Sequence, residues 1–329
     1  MRVGFRGNGP TVERGAGRPP LVAAVLAAVL AVLLAGLALA GCGGSTEGSP
    51  GAGPAACPNG GTVRMGVQPF LAATQLTPAY QELAKALSTA LGCTVTVAVT
   101  TDYAAETEAM RARQVEIAQF PPFGYVLAKD RAGLLPVATF GDAAGKVSTA
   151  TAGIAVLASS PVTDLKGLAG HSVAFTAPTA TSGHLLPAAA LAKAGVDPNS
   201  GIKPVYLGTH TATYQTLLAG KVDAAELVST QIAAAKAAGV WDPSQLRLLW
   251  TSAPSPSDPI VVRADLTPRF RARLTSALLN LDFAALPPSA REFFAHTVSA
   301  QRFVAADDST YAGVRDVVNT LGLTASTVR

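Results

Sequence analysis

The sequence predicts an α/β protein of two lobes, each a mostly parallel sheet with helices on both faces. Three observations carry this. β-branched runs alternate with amphipathic helical stretches along the chain. A second series of the same kind starts near Thr151. The 329 residues, 49% hydrophobic and 14% charged, are too apolar for disorder and enough for two domains. In order, 62–67 and 94–100 read as strands, and between them 78–91 puts Tyr80, Leu83, Leu87 and Leu91 on one helical face. A helix over 103–113, a strand over 115–120, a helix over 122–131 and a strand over 135–140 follow. The second lobe alternates strands at 153–158, 172–176, 203–207 and 222–227 with helices near 182–194, 211–219 and 230–238. After a strand at 246–250 the chain passes Pro254, Pro256 and Pro259 and turns helical from Pro268. The expected lobes are 62–148 with 258–329, and 149–257, joined by crossovers near 145–151 and 252–258.

Ahead of the body lies a segment that does not belong to its fold. Residues 21–40 hold no charge, follow Arg2, Arg6, Arg14 and Arg18, and run into Leu39-Ala40-Gly41-Cys42. That is the layout of an export signal over 1–41, although such a run is also long enough to span a bilayer. Leu-Ala-Gly-Cys resembles a bacterial lipobox, in which small residues suit the signal peptidase and the Cys42 thiol carries diacylglycerol. A lipid anchor on the extracytoplasmic side of the cell membrane is expected. Residues 42–61, rich in Gly, Ser, Pro and Ala, form a flexible tether. The leader holds four Arg and one Glu, hence +3 of the whole chain's +4. The basic balance is mostly leader, and nucleic-acid binding gains no support from it.

Cys57 and Cys93 remain, and outside the cytosol an even pair is expected to be bridged. If the strands at 62–67 and 94–100 are parallel neighbours, the two thiols begin adjacent strands at the same end. A metal site is the competing reading, but no Cys-x-x-Cys exists and the four His are scattered at 171, 184, 210 and 296.

The chemistry concentrates in two helix starts. Phe175-Thr176-Ala177-Pro178-Thr179-Ala180-Thr181-Ser182-Gly183 reads as a strand, a small-residue turn and a helix start. Free backbone N–H groups and hydroxyls converge there, which suits a tetrahedral oxyanion. Thr181 and Ser182 also read as an ordinary helix cap. The second start, Gly208-Thr209-His210-Thr211-Ala212-Thr213, has the same character, and neither 172–192 nor 204–220 contains Lys or Arg. An anion here would be held by dipoles and hydroxyls. His210 could donate to it, or merely cap.

With their neighbours these stretches form a series. It runs Asp102-Tyr103-Ala104-Ala105 with Glu108-Ala109-Met110, Val115-Glu116-Ile117-Ala118, Asp164-Leu165-Lys166-Gly167, the Thr-Ser-Gly turn, Gly208-Thr209-His210, Gly220-Lys221-Val222-Asp223 and Ser257-Asp258-Pro259-Ile260-Val261. The series, over 63–281, resembles the phosphonate/phosphite/phosphate-binding lipoprotein family of ABC importers. The resemblance implies a two-lobed periplasmic-binding-protein fold, type II-like, closing on a ligand in the interlobe cleft. The phosphonate oxygens would meet Thr181 and Ser182 of the turn, His210, and Tyr103 of the Asp-Tyr motif. Ala180 stands where a third hydroxyl is usual, and Thr179 is the candidate to replace it. Asp258 matches the acidic residue before Pro. A carboxylate accepts from a protonated P–OH or an ammonium and repels fully ionised sulfate; the plainer reading is a turn residue before Pro259. Members that take aminoalkyl phosphonates carry an acidic residue near position 230 and an aromatic near 150–151, where this chain has Thr230, Ala150 and Thr151. Gln119 also replaces the usual aromatic, and Pro121 stands where Gly is common. Phosphite, methylphosphonate or phosphate is therefore expected. Phe120, Phe123 and Tyr125 either wall the pocket or belong to the core.

Catalysis, a cofactor and a metal are not expected. Ser182 and His184, two residues apart at a helix start, would point in different directions, and no paired carboxylates stand out. The expected partners are a small oxyanion, ABC permease subunits and the membrane through Cys42, with the chain a monomer. The other reading is the same fold turned to a different ligand or to sensing for a membrane receptor. Residues from 287 onward suggest only helical packing against the first lobe.

Overall fold

The computed structural model describes residues 57–324. The apolar run at 21–40, Cys42 and the tether as far as 56 lie outside the described residues. Residues 57–61, read from composition as the end of the tether, belong to the body. Cys57 is buried and bridged to Cys93, and a 3-10 turn, Asn59–Gly61, leads into the first strand.

Two sheets organise the body. In the first, β1 (Thr62–Val67), β2 (Thr94–Val99), β3 (Ile117–Gln119) and β4 (Leu134–Gly141) run one way, and β12 (Pro259–Arg263) and β13 (Arg302–Val304) the other. Their order is β13-β4-β12-β3-β1-β2. In the second, β6 (Ala152–Leu157) runs against β7 (Ser172–Phe175), β8 (Lys203–Tyr206), β9 (Ala224–Val228) and β10 (Leu246–Thr251), in the order β10-β6-β9-β7-β8. Most strands of each sheet thus share one direction, as expected, but a reversed strand lies inside each and makes the pairing mixed. β5 (Thr149–Ala150) and β11 (Ser255–Pro256) pair as a short antiparallel ribbon where the chain passes between the sheets.

β12 escapes the sequence because prolines precede it and because all five of its residues are buried, so no alternation marks it. Pro259 is tolerated as the opening residue of a strand. Glu116 fixes β12 beside β3: its buried carboxylate takes Arg64 from β1 at 2.6 Å and Arg263 from β12 at 3.1 Å. β13, three residues long, was likewise not legible in the C-terminal helical pattern.

The helices are α1 (Ala73–Leu91), α2 (Tyr103–Arg111), α3 (Pro122–Ala132), α4 (Leu186–Lys193), α5 (His210–Leu218), α6 (Ser229–Ala237), α7 (Pro268–Leu279), α8 (Pro288–Thr297) and α9 (Ala312–Thr320). α1 begins five residues before the expected start, so Pro78 lies inside it. The lost hydrogen bond is tolerated because Leu76 and Tyr80, on either side, are fully buried in the core. That core stacks Phe140 on Phe294 and Phe303, with Tyr80 edge-on to Phe294. α8 packs on both α1 and α6, so the C-terminal chain touches helices of both sheets, a wider role than packing on the first.

β1 and β2 are parallel neighbours with Thr62 opposite Thr94, which brings Cys57 and Cys93 to one end at a Cα separation of 5.9 Å. The bridge closes a loop of sequence separation 36. Replacing both cysteines by Ala should lower unfolding stability by about 3–4 kcal/mol, measured by urea denaturation. Glu106 on α2 works the other way: it is fully buried and neither carboxyl oxygen has a partner among the described residues. Burial, reinforced by Asp258, holds its pKa well above the ordinary carboxylate value. The unfolded chain ionises Glu106 at its normal pKa while the folded chain keeps it neutral, so its contribution to stability falls as pH rises through that window. Glu106→Gln should therefore raise the melting temperature by a few degrees at neutral pH, with the gain vanishing in acid; a gain equal at both pH values would contradict this account.

Candidate functional site

The two sheets direct their strand ends at one small cavity, the usual place for a ligand in α/β sheets. From the first come Gln68 and Phe70 after β1, Tyr103 at the start of α2, Pro121 and Pro122 at the start of α3, and Asp258 before β12. From the second come Ala180, Thr181 and Ser182 after β7, His210 after β8, and Val228 and Thr230 around the end of β9. Ala150, Ser255 and Pro256 of the ribbon, with Thr297 and Val298 at the C-terminal end of α8, close the remaining sides. The cavity measures about 80 Å³, far below the several hundred Å³ of drug-sized clefts. Among the described residues no Lys or Arg lines it.

Of the expected residues, Tyr103, Thr181, Ser182, His210 and Asp258 are brought together here. Thr179 is not: it lies half-buried before the turn, with its backbone carbonyl toward Gly124 of α3, so Ala180 faces the cavity with no hydroxyl in its place. Phe120, Phe123 and Tyr125 are buried core side chains away from the cavity. His184 turns elsewhere, its Nδ1 2.7 Å from Pro178 O and its Nε2 3.0 Å from the Tyr206 hydroxyl.

The turn after Ala180 is a single π-helical turn, Thr181–Leu185, that folds back onto β7: Thr176 N–H donates to Gly183 O at 3.1 Å. Only glycine fits at 183, because a Cβ there would lie 2.2 Å from Thr176 Oγ1. Thr181 does not cap its own helix. Its Oγ1 accepts from Phe123 N–H of α3 at 2.8 Å, which links the two sheets' elements and leaves the hydroxyl proton free to donate. His210 N–H similarly donates to Phe70 O at 3.1 Å.

His210 is not a cap either, since Thr209 fills that role by accepting from Ala212 N–H at 3.1 Å. Its Nδ1 lies 2.8 Å from Oε1 of Glu226, a buried residue of β9. The same oxygen accepts from the hydroxyls of Thr176 and Thr213, each at 2.8 Å. A carboxylate only accepts, so Nδ1 carries a proton and Nε2 is the nitrogen left for the cavity. Burial opposes the imidazolium, but the Glu226 carboxylate outweighs it and the His210 pKa is raised. Burial and the carboxyl groups of Asp258, Glu226 and Glu106 likewise push the Tyr103 phenol far up, so it stays a donor.

Asp258 is set differently. Its Oδ2 accepts from Gln68 Nε2 at 2.6 Å and from Gln119 Nε2 at 2.8 Å. Burial raises its pKa to about 6, against the Gln119 hydrogen bond and the charge of His210. Sequence reasoning missed Glu226, Gln68 and Ser255, whose hydroxyl at the cavity is buried without a partner among the described residues. A lone Glu within the apolar run Ala224-Ala225-Glu226-Leu227-Val228 was the available signal, because a buried charge must be paired. Gln68 and Ser255 gave none.

Comparison with known proteins agrees with this geometry. Residues 65–311 match the family described as the periplasmic substrate-binding protein of ABC transporters for phosphonate. The phosphate-import protein PhnD of Mycolicibacterium smegmatis is 30% identical over 201 residues, 58% of this chain; the match spans 63% of that relative's length. Two solved structures share the fold at 22% identity and TM-score 0.68. One is a binding protein component of an ABC phosphonate transporter from Pseudomonas aeruginosa, covering 78% of this chain and 85% of its own. The other is PhnD1 from Prochlorococcus marinus in complex with methylphosphonate, covering 80% and 98%. Among the described residues no helix is long and apolar enough to cross a membrane. With two sheets closing on one cavity and a family match over three quarters of its length, the chain belongs to the phosphonate-binding family of ABC-transporter periplasmic substrate-binding proteins and has their two-lobed fold.

Proposed function

We propose that the protein is the extracytoplasmic solute-binding component of an ABC importer and captures a small phosphorus oxyanion: phosphite, methylphosphonate or phosphate. The carrying observation is a cavity of about 80 Å³ in which Thr181, Ser182, His210 and Tyr103 offer donors, without Lys or Arg, opposite the carboxyl group of Asp258. Hydroxyl donors and His210, whose protonated form the buried Glu226 favours, hold an oxyanion by directed hydrogen bonds. Thr230 and Ala150 both line the cavity and offer neither a carboxylate for an amine nor an aromatic wall, which favours a small, uncharged substituent.

Lobes 62–148 with 258–329 and 149–257 hinge at the β5–β11 ribbon. Thr181 couples closure to capture, since its hydroxyl can accept from Phe123 N–H across the cleft while donating to the ligand. Ligand contacts from both lobes favour the closed form, which docks on permease subunits; ATP hydrolysis belongs to another subunit. Cys42 carries the lipid that keeps this monomer at the extracytoplasmic face of the membrane.

A thermal-shift panel with phosphite, methylphosphonate, aminoethylphosphonate, phosphate and sulfate tests the reading. A ligand present at about 100 times its Kd should add about 2.7 kcal/mol of stability. A rise in melting temperature with a small phosphorus oxyanion that is much larger than the rise with sulfate is expected; no shift with any phosphorus compound would overturn the reading. In the same assay Gly183→Ala should cut affinity by about tenfold or more, because the new Cβ displaces the turn from Thr176 and with it the Thr181 and Ser182 donors.

A further inference from the structure

The two walls of the cavity differ in hydrogen-bonding sense. The second-lobe wall presents donors: the Thr181 and Ser182 hydroxyls and His210 Nε2. The first-lobe wall, apart from the Tyr103 hydroxyl, presents acceptors. Gln68 is 2% exposed; its Nε2 is committed to Asp258, and its Oε1 is buried without a partner among the described residues. Both amide donors on Asp258 fall on Oδ2, so the oxygen left to meet a ligand is Oδ1.

What fixes this polarity is a chain of side chains outside the cavity. The fully buried Tyr80 of α1 donates its hydroxyl proton to Gln119 Oε1. With Oε1 so occupied, the Gln119 amide can present only Nε2 to Asp258, and a donor there favours the ionised carboxylate. A flipped amide would present Oε1 and favour the protonated acid, which would then donate to a ligand. Gln119 neither lines the cavity nor reaches a ligand, so it acts through Asp258.

We propose that Tyr80 and Gln119 are positioning residues that hold Asp258, with Gln68 Oε1, as an acceptor wall, so that the site selects the form of its oxyanion carrying a proton on oxygen over the fully ionised form. This rests on the oxyanion reading of the site and adds the protonation state that the site demands. An oxyanion with one P–O–H gives that proton to Asp258 and its charge-sharing oxygens to the second-lobe donors; sulfate brings no proton for the carboxylate. The ionisable groups around Asp258 are Tyr80 from α1, Tyr103 and Glu106 from α2, His210 with Glu226 behind it, and Tyr311, whose hydroxyl donates to Ser257 O at 3.3 Å. Tyr80, Tyr103 and Tyr311 stay protonated, being raised by burial first and by Asp258 among the other causes. Burial raises Glu106 as well, and apart from Tyr103 the ionisable groups with shifted pKa values that line the cavity, beside the ligand's own proton, are Asp258 and His210.

The test is calorimetric titration of the full chain with methylphosphonate and with sulfate, from mildly acidic to mildly alkaline pH, in the wild type, Tyr80→Phe, Gln119→Met and Asp258→Asn. Sulfate does not titrate in this range, so its profile reports the protein's own groups and the ratio of the two affinities isolates the ligand's proton. In the wild type the ratio should be large where the monoanion prevails and fall as methylphosphonate loses its second proton. In Tyr80→Phe and Gln119→Met the ratio should drop by about tenfold or more and lose most of its pH dependence, as in Asp258→Asn. Melting temperatures near that of the wild type establish that each variant is folded, and Tyr80→Phe conserves volume. Both folded relay variants keeping the wild-type ratio at every pH would overturn the inference while leaving the oxyanion reading intact. Failure of the wild type to bind any oxyanion would remove both.

Discussion

One carboxylate oxygen, Glu226 Oε1, gathers hydrogen bonds from Thr176 at the end of β7 and from His210 and Thr213 on α5, and the second-lobe half of the cavity is assembled around it. Because the residue is buried, these three donors are what compensates its carboxylate in a low-dielectric interior, and each one lost weakens that compensation. Thr176 carries this constraint into the turn, since Gly183 lies directly against its hydroxyl. His210 carries it into the cavity by fixing which ring nitrogen faces inward. A strand, a helix and a turn far apart in sequence are thus set relative to one another by a residue that does not itself line the site.

The opposite half is built on carboxyl groups that the fold would be more stable without. Asp258 is raised to about 6 by burial, and Glu106 behind it is held neutral with no partner among the described residues. Glu116 shows what a satisfied buried carboxylate looks like in the same lobe: two arginines hold it, and it locks β12 against β3 and β1. The carboxyl groups that have no cationic partner therefore lie at the cavity, as Asp258, or behind it, as Glu106, and the paired one supports the sheet, which fits a site that keeps its acids for binding.

By itself the sequence determined the α/β alternation, and it pointed to the pairing of Cys57 with Cys93 and to most of the polar residues that line the cavity. Each of these rests on a local property: β-branched runs, helical periodicity, cysteine count, or hydroxyls at a helix start. The order of short motifs carried the family for the same reason, and Tyr103, Thr181, Ser182, His210 and Asp258 were all placed by it. Tertiary structure decided what depends on contacts between distant segments. β12 lies inside a sheet, and a fully buried strand has no alternation to read. Thr181 serves α3 across the cleft and Thr179 faces away, because the π-helical turn sets the direction of successive side chains. Glu226, Gln68 and Ser255, with Gln119 as a partner of Asp258, emerge only once the strand ends converge, since a polar residue's role is set by which donors and acceptors are buried beside it.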